Sequence, residues 1–109
     1  KMTVLRDVNT SPAEFRRVLK EITFYLGYEA TRSLTTKKAA IKTPMGDHEG
    51  AKVSDSIAII PILRAGLSMA DGMLELMPNA GVHHIGMYRA KESLLPIQYY
   101  NRLPKDKVR

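Results

Sequence analysis

Arg64 and Arg89 are the residues whose type and placement in this chain could do chemistry. Each directly follows a run that reads as a strand, Ile57 to Leu63 before the first and Val82 to Tyr88 before the second. Between them Leu67, Met69, Met73, Leu74 and Met77 recur at the spacing of a helix with one apolar side. Strand, loop, helix and strand make a βαβ unit, and loops that follow parallel strands gather at their carboxyl ends, where ligands bind. Adjacent strands lie about 5 Å apart, so two guanidiniums leaving at that edge can meet on a single polyphosphate. Charge-assisted, often bidentate bonds of this kind contribute about 1.5 to 3 kcal/mol each when well formed. Lysine would bring charge without the planar fork. The loop Arg64, Ala65, Gly66 also opens a helix, whose first turn offers unpaired N–H groups and the positive end of a dipole. Gly66 lets backbone approach a ligand with no Cβ in the way. The stretch predicts a pocket for phosphate or pyrophosphate. The plainer alternative is a βα corner whose Arg64 reaches solvent, with Arg89 in a salt bridge.

Other candidates carry less. His48 sits in a polar turn and reads as surface, since a lone histidine makes neither a triad nor a metal set. His83 and His84 are neighbours on a strand, so they point to opposite faces, cannot share a metal, and read as packing or surface. Asp71 and Glu75 stand four apart on the helix, as paired carboxylates for acid and base work could. Beside an anion pocket they would repel the ligand, and a structural or surface role fits better. With no cysteine there are no disulfides or thiolate metal sites, and a reducing cytosol is the natural setting.

The elements that must hold the loop can be read along the chain. Ser11, Pro12 and Glu14 give a helix start with a capping hydroxyl, a first-turn proline and a glutamate able to close the box. Phe15, Val18, Leu19, Ile22, Leu26 and Ala30 then predict a helix from about Pro12 to about Arg32, whose apolar face is core or a subunit contact. Gly27 weakens it by about 1 kcal/mol relative to alanine. Ala39 to Thr43 and His48 to Val53 read as short strands around the turn Thr43 to Asp47. Ile57 to Leu63 is apolar enough for a strand buried on both faces. Pro78 to Gly81 stop the second helix. Ser93 to Pro96 is a turn, and Ile97 to Asn101 a strand that the short connection makes antiparallel, an arm on which Tyr99 and Tyr100 could anchor a subunit contact.

At 109 residues the chain fits one α/β domain with a real core and no internal boundary. No apolar run has the length of a membrane helix and the start lacks the apolar block of a secretion signal, which points to the cytoplasm. Lys and Arg exceed Asp and Glu by 17 to 11, for a net charge of +6. That surplus suits nucleic acid or small polyphosphates. The basic residues are scattered and not interleaved with aromatics, which argues against nucleic acid. Arg16, Arg17, Lys37, Lys38 and the ending KDKVR read as solvated surface.

The run VSDSIAIIPILRAGLSMADGMLELMPNA, followed by HIGMYRAKESLLPIQYYNRLP, strongly resembles the amino-terminal half of the uracil phosphoribosyltransferase family. VLRDVNTSPAEFRRVLKEITFYLGYEATR and the IKTPMG turn match the same family's opening helix and turn. The resemblance implies a type I phosphoribosyltransferase fold, a parallel sheet flanked by helices with an antiparallel β-arm, of which 1–109 is the amino-terminal part of a single domain. It implies the reaction of uracil with phosphoribosyl pyrophosphate to give uridine monophosphate and diphosphate, with Mg²⁺ bound through the sugar pyrophosphate. It places the family's two early ligand arginines on Arg64 and Arg89, with Ala65 and Gly66 in the same loop, and an unusual cis peptide beside Arg64. A homo-oligomer comes with it, and GTP as an activator.

Two departures matter. The family's usual aspartate after the second arginine is Ala90 here, and the family is about twice this long, its ribose-phosphate loop and uracil-recognising hood falling later. The sequence therefore reads as a fragment, inactive alone. The alternatives are a non-catalytic nucleotide-binding or regulatory module of the same fold and the related domain fused to uridine kinases; the latter tends to lose the second arginine, and Arg89 argues against it. The transfer resembles an oxocarbenium-like displacement in which arginines and a metal ion stabilise the leaving group, so no covalent nucleophile is needed.

Overall fold

The computed structural model describes residues 1–104, so the basic ending at 105–109, expected to be surface, lies outside the described residues. A short helix that the sequence pattern did not announce, α1 (Met2–Arg6), precedes α2 (Pro12–Ala30), which runs into a 3-10 turn at Thr31–Ser33. Ser11 Oγ accepts from the Glu14 N–H at 3.2 Å, as the capping pattern predicts. The Glu14 carboxylate meets Arg17 at 3.5 Å instead of closing the box. β1 (Thr36–Thr43) and β2 (Gly46–Val53) form an antiparallel hairpin, closed where Thr43 faces Gly46. Gly46 takes the positive φ of +131° that the turn needs. β1 begins earlier than its apolar residues suggest because exposed pairs, such as Lys38 with Glu49 at 3.0 Å, extend the ladder.

Next come β3 (Ala58–Ile59), β4 (Ile62–Leu63), α3 (Leu67–Leu76), β5 (Gly81–Val82), β6 (Ile85–Arg89) and β7 (Pro96–Asn101). β3 pairs with β5 and β4 with β6, both parallel, while β7 lies antiparallel on β6 as its short connection predicts. N–H groups of Gly81, His83 and Ile85 donate to the carbonyls of Ile57, Ile59 and Pro61 at 3.0 to 3.1 Å, so one parallel ladder runs through both short pairs. The interruption at Ile60 and Pro61 has a simple cause: Pro61 has no N–H for the ladder. The class is mixed α/β, as predicted.

Three expectations about packing fail. Ile57 to Leu63 is not covered on both faces: Ile59 is 8% exposed, whereas Ile60 and Ile62 are 41% and 51% exposed. Alternation explains this: Ile59 and Pro61 fall on the buried side of the strand, and Ile60 and Ile62 on the exposed side. The core is small. Among the described residues its buried hydrophobic side chains are Val18, Ile59 and Ala70, around a fully buried Thr23. The radius of gyration, 18.3 Å, exceeds the about 13 Å expected of a compact domain of this length, and β1 and β2 pack chiefly on each other. Lastly, α3 does not bury the stripe that its methionines and leucines suggest, since Leu67 and Met69 are exposed and Ala70 and Gly72 are buried.

Small residues let the two long helices approach. A Cβ on Gly72 would lie 3.0 Å from Thr23 Cγ2, and one on Gly27 would lie 2.6 Å from Met73 Sδ. Thr23 Oγ1 donates to Leu19 O at 2.8 Å and so costs no unmet polar group. At Gly27 the neighbours are the flexible ends of Met73 and Leu76, whereas at Gly72 they include the Thr23 Cβ and the Lys20 carbonyl. Among the described residues no helix is long and apolar enough to cross a membrane.

Candidate functional site

α3 thus anchors the turn that leads into it. β4 ends at Leu63, residues 64–66 turn, and α3 begins at Leu67 with Gly66 as its N-cap. The Leu63–Arg64 peptide bond is cis. Gly66 N–H donates to Ile62 O at 2.9 Å, Leu67 N–H to Arg64 O at 3.1 Å and Ala70 N–H to Gly66 O at 3.0 Å, which curls the loop back on its own strand. A Cβ on Gly66 would stand 2.9 Å from Ile62 N, 3.0 Å from Ile62 O and 3.1 Å from Pro61 Cα. The strand beneath thus demands glycine here on its own account, in addition to the ligand's approach that the sequence suggests. Ser68 and Met69 hold the N–H positions in the first turn that an α-helix leaves without an intrahelical partner.

Arg89 is the last residue of β6. Leu63 pairs with Gly86 across the parallel ladder, which puts Arg64 level with Met87 and Arg89 two residues, about 7 Å, further along. Both arginines thus stand at the carboxyl edge of adjacent parallel strands, exposed, and among the described residues neither is in an ion pair. Ala65 is exposed between them and the helix start. The salt-bridge alternative for Arg89 is not what the structure shows. Beyond Arg89 the chain turns back by Ala90 N–H to Leu95 O at 2.9 Å and Leu94 N–H to Ala90 O at 3.0 Å, which lays β7 alongside.

Asp71 is exposed, and Glu75 reaches across to Lys20 at 2.5 Å, in keeping with the structural or surface reading of the pair. His48 is exposed on the hairpin. His83 and His84 fall in the break between β5 and β6, half-buried, and not on a regular strand as their pattern suggests. Among the described residues no group of three or more His, Cys, Asp or Glu could hold a metal ion. The loop offers guanidiniums and N–H groups, which fit an anion and do not fit a bare divalent cation. A cavity of about 400 Å³ opens at the opposite, amino end of the strands, between Asp55, Ser56, Asn79 and His83. Its lining brings no pair of cations together.

Sequence reasoning missed how β7 seats on β6. Gly86, an isolated glycine inside a strand, was the available signal, since such a glycine marks a bulge or a close approach.

A profile described as uracil phosphoribosyltransferase matches residues 1–109. The uracil phosphoribosyltransferase of Dictyoglomus thermophilum is 55% identical over 108 residues, covering 97% of this chain and 52% of that protein. That of Thermosipho africanus is 49% identical over 106 residues, covering 96% and 51%. The solved structure of the AQ2163 protein from Aquifex aeolicus, 36% identical, is similar with a TM-score of 0.87 over 94% of this chain and 50% of that one. The chain spans about half the length of the curated relatives it matches.

Proposed function

The chain belongs to the uracil phosphoribosyltransferase family, and on that premise we propose that its cis-bonded loop binds the pyrophosphate of phosphoribosyl pyrophosphate. The whole protein then transfers the phosphoribosyl group to uracil, releasing diphosphate and forming uridine monophosphate. The observation that carries this reading is the arrival of Arg64 and Arg89 at one edge of neighbouring parallel strands, beside the start of α3.

In the displacement, negative charge accumulates on the departing diphosphate. Two guanidiniums from one sheet edge and the first-turn N–H groups stabilise that charge as it develops. Mg²⁺, carried on the substrate's phosphates, supplies further charge neutralisation when bound. Nothing here calls for a nucleophile, and the serines and histidines of the chain need no catalytic part. The family likeness also brings activation by GTP, a cytoplasmic location and a homo-oligomer into the proposal. The two-stranded hairpin supports the last, because such ribbons hold poorly without something packed on them.

Isothermal calorimetry of pyrophosphate on the whole protein tests the site. Arg64→Ala should weaken binding about 10- to 100-fold, the worth of one well-made charged fork. In the whole protein the same change should weaken phosphoribosyl pyrophosphate far more than uracil. Equal affinity for the anion before and after the substitution would remove the assignment.

A further inference from the structure

We propose that Tyr99 is a positioning residue for Arg89, acting as the extra residue of a β-bulge seated over Gly86; this rests on the anion site proposed above. Along β6 and β7 the register runs Ile85 to Asn101 and Gly86 to Tyr100, then jumps to Met87 with Gln98, Tyr88 with Ile97 and Arg89 with Pro96. Tyr99 is skipped. A bulge of this kind bends its strand and re-aims the side chain of the extra residue. Here the ring lies over Gly86: a Cβ there would stand 2.6 Å from both Cε2 and Cζ of Tyr99, and 2.8 Å from Tyr100 Cβ. The same ring meets Tyr88, the residue before Arg89, with centroids 6.1 Å apart and planes inclined by 38°.

Gly86 is also the partner of Leu63, which is bonded to Arg64. One ring therefore sits where β4, β6 and β7 meet, level with the root of the first arginine and three residues before the second. Past the bulge only three pairs remain, and the last sets Arg89 against Pro96, which has no N–H to donate. β7 is exposed along its whole length, so burial does little to hold its register. The contact of Tyr99 with Gly86 and Tyr88 is what pins it. Exposed strands slip readily, and disturbed pairing along β6 would carry Arg89 away from the edge it shares with Arg64.

The test is a double-mutant cycle in the whole protein, with pyrophosphate as the probe and calorimetry as the readout. Tyr99→Ala should weaken binding about tenfold, toward the affinity of Arg89→Ala, while Tyr99→Phe, which keeps the ring, should stay within about twofold of the unsubstituted chain. In the Arg89→Ala background, Tyr99→Ala should cost nothing further. Far-UV circular dichroism reports whether each variant folds. If Tyr99→Ala does not fold, Gly86→Ala, which displaces the ring without removing it, is read in the same cycle with the same expected pattern. A loss that persists undiminished in the Arg89→Ala background overturns the proposal, because the ring then acts on the fold at large. Unchanged affinity in Tyr99→Ala overturns it too. If the unsubstituted chain binds pyrophosphate and Arg64→Ala weakens it while Tyr99→Ala does not, this inference alone falls; if the unsubstituted chain fails to bind, the anion site falls with it.

Discussion

Replacing Gly66 with alanine asks whether the arginine loop is held by its own strand. The φ and ψ of Gly66, −74° and −10°, suit alanine, so backbone conformation sets no obstacle. Reduced freedom of the unfolded chain would even favour the substitution by about 0.4 to 1 kcal/mol. Against that, the new Cβ would find Ile62 N at 2.9 Å where ordinary contact begins at 3.4 Å, a shortfall of half an ångström. Ile62 O and Pro61 Cα crowd it as well, and all three are backbone atoms that no rotamer change can move. The loop must lift, stretching the Gly66 N–H bond to Ile62 O. Overpacking of this kind costs about 1 to 3 kcal/mol and a weakened hydrogen bond adds about 0.5 to 1.5, so after the gain above the net loss should be about 0.5 to 4 kcal/mol. Gly27→Ala is the control, since its new Cβ meets the flexible ends of Met73 and Leu76 and the helix gains about 1 kcal/mol in propensity. Urea unfolding followed by circular dichroism should place Gly66→Ala well below Gly27→Ala, and calorimetry should show weaker pyrophosphate binding for Gly66→Ala alone. A Gly66→Ala chain as stable and as tightly binding as its parent would refute the reasoning.

Two further outcomes are expected. A hydrogen bond from Lys1, joined by Arg17, holds the Glu21 carboxyl below the usual carboxylate range, so its share of the α1–α2 tether is present above that range and fades as pH falls through the lowered pKa. Carbon-detected NMR titration should show Lys1→Ala raising the Glu21 pKa more than Arg17→Ala does; the reverse order would make the Arg17 pair within α2, and not the tether, the main cause of the shift. The 109 residues should release no uridine monophosphate from uracil and phosphoribosyl pyrophosphate, and product detected by chromatography would show that they already hold a full active site.

Where local chemistry decides, the fold was legible. The Ser11 cap, the crossover from β4 through α3 to β6, the antiparallel return of β7 and the shared edge of Arg64 and Arg89 all follow from residue types within a few positions of one another. Burial was less legible. An unbroken apolar run such as Ile57 to Leu63 looks the same whether one face or both are covered, and the covering elements are far away in sequence. The spacing of Met69 and Met73 likewise hid that α2 presses on Gly72 and that Ala70 is buried. The bulge at Tyr99 left only the trace of Gly86, because two adjacent tyrosines give alternation nothing to count. The crowding at Gly66 was not legible either: it comes from backbone four residues back, which no side-chain pattern reports.

The strand that carries Arg64 has a neighbour along one flank only among the described residues, and Ile60 and Ile62 stand out from it toward water. A row of open amides and carbonyls beside bare isoleucines is adhesive. Purified on its own, such a polypeptide should gather into larger particles as concentration rises, and Ile60→Lys is the gentlest way to keep the molecules apart while leaving the Arg64 loop alone.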